Sequence, residues 1–164
     1  MSADRQSAGS SQVGTGSRGH LVFGRQRLAL VADDEPLVCQ LVCSVLVRSG
    51  WRTIEATDGV EALGMSIDEQ VDLLITDYEM PSISGLQLAN AVRRRTPEVP
   101  ILMISRYPAC LVVARDHGFH FLQKPFNLDE LVSVVSLLTE HHVNGERVRS
   151  RMEGDDRGEG TGAR

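Results

Sequence analysis

The chain has 164 residues, a formal charge of −5 and only 4% aromatic residues. That length suits one domain of ordinary size. The mild acidity leaves no electrostatic footprint for nucleic acid, the scarcity of aromatics leaves no stacking platform for single strands, and no apolar run reaches the ~18 residues of a membrane span.

Residues 1–26 and 141–164 read as disordered tails. Ten of the fifteen glycines fall in 1–24 and 141–164, among Ser, Arg, Asp and Glu with few large apolar side chains. Such segments cannot bury enough surface to offset the entropy of ordering. The polar stretch from Met1 to Gly19 lacks the apolar segment of a secretory signal, which makes the cytoplasm the expected location. Gly14, Gly16 and Gly19 spell GxGxxG, but no strand precedes them and no helix follows, so they carry no nucleotide-binding reading.

Between the tails, over 27–140, the apolar pattern is dense. Leu28 to Ala32 predicts a buried strand that ends at acidic residues. Pro36 to Ser49 predicts an amphipathic helix, with Leu37, Val38, Leu41, Val42, Val45 and Leu46 on one stripe, Pro36 in its first turn and Gly50 at its end. Trp51 to Ala56 is a second strand, Asp58 to Ile67 a helix weakened by Gly64, and Val71 to Thr76 a third strand that stops at Asp77. Ser84 to Arg95 is a helix closed by Thr96-Pro97, Val99 to Ile104 a fourth strand, and Pro108 to Asp116 a short helix stopped by Gly118. Phe119 to Leu122 is a fifth strand. Asn127 to Glu140 is a last helix, with Asn127 and Glu130 placed as a variant capping box. Five near-continuous apolar strands alternating with five helices predict a doubly wound parallel α/β sheet. Ligands of such sheets bind at the carboxyl ends of the strands.

Three features receive structural readings. Cys39, Cys43 and Cys110 are too few and wrongly spaced for a disulfide framework or a zinc site, and the first two share a helix face as packing residues. Arg93, Arg94 and Arg95 read as the solvated end of a helix, favourable to its dipole. His141 and His142 lack partners for a metal site.

The strand ends carry the chemistry. Asp33, Asp34 and Glu35 follow the first strand, Asp77 the third, Ser105 the fourth and Lys124-Pro125 the fifth. A parallel sheet crowds these at one edge, where clustered carboxylates repel unless a cation intervenes. A hard cation with oxygen ligands solves that, and Mg²⁺ commonly uses one or two carboxylates plus waters and a phosphate. An ionised Asp beside it can act as a nucleophile toward phosphorus, with Ser105 and Lys124 meeting the phosphoryl oxygens.

The motifs VADDEP at 31–36, DLLITDYEMP at 72–81, MIS at 103–105 and FLQKPF at 121–126, with GWRTIEATDGVEAL at 50–63, resemble the receiver domains of bacterial response regulators across 27–140. The resemblance implies a flavodoxin-like, receiver-type sheet. It implies Asp77 as phosphoacceptor and, as metal site for Mg²⁺, Asp34 directly, Asp33 through water, Asp77 and the backbone carbonyl of Glu79. It further implies Lys124 as the site's lysine with a cis bond to Pro125, Ser105 as switch hydroxyl and Phe121 as switch aromatic. The partners implied are a histidine kinase or a histidine phosphotransfer protein and an unknown downstream protein, with no nucleic acid. The FLQKPF segment also resembles receivers of hybrid histidine kinases.

On this reading the chain is a stand-alone receiver that catalyses only its own phosphorylation and dephosphorylation. The alternative is a degenerate receiver that only binds protein, against which the set Asp33, Asp34, Asp77, Ser105 and Lys124 speaks. An Asp-nucleophile phosphohydrolase of the haloacid dehalogenase type would want an Asp where Glu79 stands. Two departures from the family pattern stand out. Arg106 occupies a position usually held by a small residue, where it either crowds the path of water and contacts phosphoryl oxygens, or points to solvent or pairs with an acid such as Glu79. The stretch from Ser105 to Lys124 is also short, which points to an unusual output face around the fourth helix.

Overall fold

The computed structural model describes residues 25–152. In chain order the elements are β1 (Leu28–Ala32), α1 (Pro36–Arg48), β2 (Arg52–Ala56), α2 (Gly59–Asp68), β3 (Leu73–Asp77), α3 (Gly85–Arg95), β4 (Ile101–Ser105), α4 (Cys110–Asp116), β5 (His120–Gln123) and α5 (Leu128–Met152). The strands form one parallel sheet in the order β2-β1-β3-β4-β5. This is the doubly wound architecture expected from the alternating pattern. Winding reverses between β1 and β3, so the switch point lies where those two strands end.

Side-chain alternation along each strand divides the core into two layers. Ala29, Val31, Leu73, Ile75, Leu102 and Ile104 face one side, where Val42, Leu46, Leu131 and Val135 from α1 and α5 cover them. Leu30, Leu74, Ile101 and Met103 face the other side, against Ala62, Leu88, Val92 and Ala114 from α2, α3 and α4. β1, β3 and β4 are buried at every position, whereas β2 and β5 are partly exposed edges. β2 and β5 therefore depart from the near-continuous apolar run expected of all five strands, because an edge strand faces solvent in part.

Local chemistry sets the helix ends. Pro36 opens α1, and Gly50 follows it with φ +86°, a conformation that costs glycine little. Asp58 caps α2 by accepting from the amides of Val60 and Glu61. Ser84 and Gln87 form a reciprocal capping box on α3. Asn127 and Glu130 do the same for α5: the Asn127 amide donates to Glu130 Oε2 at 3.0 Å, and the Glu130 amide to Asn127 Oδ1 at 2.8 Å.

Some boundaries differ from the sequence reading. α5 continues past Glu140 to Met152, because no proline interrupts it and Gly145 alone costs a helix only about 1 kcal/mol. Order also begins before residue 27. Arg25 Nη2 donates to Asp72 Oδ1 at 2.6 Å, and Gln26 Nε2 to the Gly50 carbonyl at 3.1 Å. α4 starts at Cys110 and has only seven residues, the structural form of the short Ser105–Lys124 stretch. Arg94 and Arg95 are exposed as expected, whereas Arg93 is partly buried: its Nη1 donates to the Pro97 carbonyl at 3.0 Å and its guanidinium lies over the Phe119 ring at 5.5 Å. Cys39 and Cys43 are buried in the α1 layer, and burial pushes their thiols up to about 11 and about 12, consistent with packing residues. The rest of both expected tails, the motif at Gly14, Gly16 and Gly19, and the side chains of His141 and His142 lie outside the described residues.

Candidate functional site

The parallel sheet brings the ends of β1, β3, β4 and β5 to one rim, and the strand order sets β3 between β1 and β4. Asp77 is the last residue of β3, so its carboxylate sits in the middle of that rim, flanked by the acidic loop after β1 and by Ser105 at the end of β4. Asp33, Asp77 and Ser105 are all buried, while Asp34 and Glu79 are exposed.

Lys124 joins the two buried carboxylates. Its Nζ lies 2.7 Å from Asp33 Oδ2, 2.7 Å from Asp77 Oδ1 and 3.5 Å from Glu35 Oε1. The three donors of one ammonium thus meet three acids. The backbone fixes its position: the Lys124 amide donates to the Ser105 carbonyl at 2.8 Å, and the bond to Pro125 is cis. The remaining oxygens of the buried pair are also held. Asp33 Oδ1 accepts from the Glu35 amide at 2.9 Å, and Asp77 Oδ2 from the Glu79 amide at 2.7 Å.

The loop after β3 closes tightly over this site. Ser82 adopts φ 69°, and the Gly85 amide returns to the Tyr78 carbonyl at 3.0 Å. A Cβ on Gly85 would fall 1.8 Å from the Asp77 carbonyl oxygen, so only glycine fits there. The sequence alone assigns Gly85 no role, although it stands in the first turn of the helix expected from Ser84 to Arg95.

Ser105 Oγ accepts from the Tyr107 amide at 3.1 Å and donates to Cys110 Sγ at 3.5 Å. Phe121 is half-buried on β5 and packs on the layer formed with α2, α3 and α4, outside the charged cluster. Arg106 pairs with Glu35 and not with Glu79. The sequence places Glu35 at the acidic strand end without a part in the site. Its partner lies 71 positions away, beyond any spacing signal.

Burial pushes the Asp77 carboxyl up, against the hydrogen bond and charge of Lys124, and the Asp33 charge adds to the rise. Lys124 also ends up raised: burial alone would lower it, but its bonds to Asp33 and Asp77 outweigh that. The lysine therefore stays charged, and two buried carboxylates share it. Among the described residues, no three His, Cys, Asp or Glu side chains converge closely enough to hold a metal ion as they stand. Two carboxylates with one compensating ammonium nevertheless suit a hard cation that needs only one or two acidic ligands.

A pH prediction follows. A carboxyl raised in the folded state binds its proton more tightly there than when unfolded. Its presence therefore costs no stability below the ordinary Asp value of about 4, and lowers stability as pH rises through the folded value. Asp77→Asn should melt higher than the parent protein near pH 7, with the gap closing toward pH 4. A gap of the same size at both pH values would contradict the upward shift.

Comparison with known proteins gives this geometry a context. The sequence model of the response regulator receiver domain matches residues 29–136. The probable transcriptional regulatory protein TcrX of Mycobacterium tuberculosis is 29% identical over 112 residues, covering 66% of this chain and 48% of TcrX. The response regulator protein PilR of Pseudomonas aeruginosa is 33% identical over 117 residues, covering 70% of this chain and 26% of PilR. The chain thus spans about half, or less, of the length of these curated relatives. The solved structure of response regulator protein TrrA of Thermotoga maritima, in complex with Mg(2+)-BeF, has a TM-score of 0.64 at 32% identity and covers 69% of this chain and 99% of that one. With the family match running from β1 into α5 over a sheet of receiver topology, the chain belongs to the response regulator receiver domain family.

Proposed function

We propose that this receiver accepts a phosphoryl group on Asp77 from the phosphohistidine of a histidine kinase or histidine phosphotransfer protein, and thereby switches its binding to a downstream protein. The observation that carries this reading is the Lys124 ammonium, 2.7 Å from both Asp33 and Asp77 on a buried rim at the switch point. In the transfer, an Asp77 oxygen bonds to phosphorus as the phosphorus–nitrogen bond breaks and the imidazole leaves. Lys124 moves from neutralising the Asp77 carboxylate to neutralising phosphoryl oxygens, and positioning with charge compensation is most of what the reaction requires. Asp34, Asp77 and the Glu79 backbone carbonyl, with Asp33 through water, would hold Mg²⁺, which when bound neutralises charge on the phosphoryl oxygens. Ser105 leaves its contacts with Tyr107 and Cys110 to bond the phosphoryl group, and Phe121 turns inward on β5, shifting a two-state equilibrium on the α4–β5–α5 face. The receiver works in the cytoplasm over 27–140 and binds protein, not nucleic acid; among the described residues no helix is long and apolar enough to cross a membrane.

Incubation with Mg²⁺ and acetyl phosphate, or with a phosphorylated kinase, tests the proposal. The expected product is an acid-stable, base-labile acyl phosphate, and a protein that takes no label from either donor would be a binding module instead. The metal has its own test. Asp34→Asn should weaken Mg²⁺ binding by at least about tenfold, since even outer-shell changes at metal sites cost that much. Because Asp34 is exposed, its repulsion is screened and the melting temperature should hardly move. Unchanged Mg²⁺ affinity in a titration would place the metal elsewhere.

A further inference from the structure

We propose that Arg106 and Glu35 form an ion-pair strap across the end of β3 that restricts the access of water and small phosphodonors to Asp77, an inference that rests on Asp77 being the phosphoacceptor. Topology supports it. Glu35 lies in the loop after β1, and Arg106 is the first residue after β4. β3 runs between those two strands, so a bond from one loop to the other crosses above the residue that ends β3. The arginine side chain is 65% exposed and the glutamate side chain 45%, against 8% for Asp77, which places the pair at the mouth and the carboxylate beneath it. The same Glu35 oxygen lies 3.5 Å from Lys124 Nζ, so the strap is anchored to the cation that touches Asp77. The Glu35 hydrogen bond holds Arg106 charged, and Arg106 is near enough to Asp77 to feel that carboxylate as well.

Two reactions have to pass this mouth. In hydrolysis, a water oxygen bonds to phosphorus, the bond from phosphorus to the Asp77 oxygen breaks, and inorganic phosphate leaves with the carboxylate restored. In labelling by acetyl phosphate, an Asp77 oxygen bonds to phosphorus and acetate departs. Each needs a small molecule to approach in line from solvent. A guanidinium tethered by a carboxylate across the strand end obstructs that approach without touching the reacting atoms. A rival geometry has Arg106 leave Glu35 and clamp the phosphoryl oxygens directly. The two differ in the role of Glu35: as a partner it keeps the strap closed, whereas as a competitor it would withhold Arg106 from the phosphoryl group.

The experiment compares the full chain with Arg106→Ala, Glu35→Ala and the double variant, at fixed Mg²⁺ and pH. It follows acyl phosphate decay after donor removal and labelling by acetyl phosphate. Both positions are exposed, so all four proteins should melt alike. Each single variant should shorten the acyl phosphate lifetime several-fold and speed labelling, and the double variant should go no further than either single, the signature of one shared interaction. Raising salt from about 0.1 M to 1 M shrinks the screening length from about 10 Å to about 3 Å, and should shorten the lifetime in the parent but not in the double variant. A longer lifetime in Glu35→Ala would overturn the strap, because it would mean that freed Arg106 clamps the phosphoryl group. Singles that multiply in the double variant, or four equal rates, would overturn it too. No label on the parent protein would overturn the phosphoacceptor reading itself, and the strap with it.

Discussion

The Asp77→Asn protein should take up no phosphoryl group from acetyl phosphate or from a kinase. Asp77 ends the strand at the centre of the rim, and its Oδ1 is 2.7 Å from the lysine that balances its charge. An amide keeps the shape of this side chain but lacks the lone-pair charge needed to attack phosphorus. Neighbouring acids offer no substitute. Asp33 is held by Lys124 and the Glu35 amide at the end of another strand, and Asp34 is exposed. Loss of a nucleophile costs orders of magnitude in rate, so radiolabel after donor exposure should fall to background. The variant should remain folded, and melt higher near neutral pH for the reason given above, so a negative result cannot be ascribed to unfolding. Labelling at the parent rate would remove Asp77 from the role proposed for it.

Gly85→Ala should destabilise the domain severely, although it adds one methyl group at the start of a helix. The new Cβ would lie 1.8 Å from the Asp77 carbonyl oxygen, 2.8 Å from its carbonyl carbon and 2.8 Å from Thr76 Oγ1. The first two are backbone atoms of β3 and cannot turn aside. Relief requires moving α3 away from the sheet or bending the strand end that presents Asp77. Overpacking typically costs 1–3 kcal/mol, and this contact belongs at or above the upper end, about 3 kcal/mol. For a domain of this size that is roughly a 10 °C fall in melting temperature. Gly64→Ala is the matched control. Nothing lies within 4 Å of its added Cβ, the position is exposed within α2, and the change should stabilise by about 0.4–1 kcal/mol. Thermal melting of the two variants decides the matter, and equal melting of Gly85→Ala and the parent would show that α3 does not press on β3 as described.

Much of the architecture was legible because it is written locally. The apolar runs of β1, β3 and β4 depend only on neighbours a few residues apart, and so do the turn at Gly50 and the Asn127–Glu130 box. The α1 stripe was legible only in part, since packing buries Cys39 and Cys43 beside Val42, Val45 and Leu46 and leaves Leu37 and Leu41 exposed. Element ends were legible less well. β2, β3, β4 and β5 each begin later than their apolar runs, because Trp51, Val71, Val99 and Phe119 are buried by packing without joining the ladder. Composition places the C-terminal boundary at 140, but helix propagation ignores composition until something breaks the hydrogen-bond ladder.

By itself the sequence determined which acids, hydroxyl and lysine stand at strand ends, since a strand's last apolar residue can be read from the chain. Only the tertiary structure decided which of them meet. Lys124 reaches Asp33 across 91 positions, and Arg106 takes Glu35 rather than the nearer Glu79. Gly85 became indispensable only once α3 lay against the Asp77 carbonyl. The physical reason is one of range. Strand and helix preferences are settled within a few residues, whereas ion pairs and close packing depend on distances of a few ångströms. The strand order and register of the whole sheet fix those distances, and no spacing along the chain encodes them.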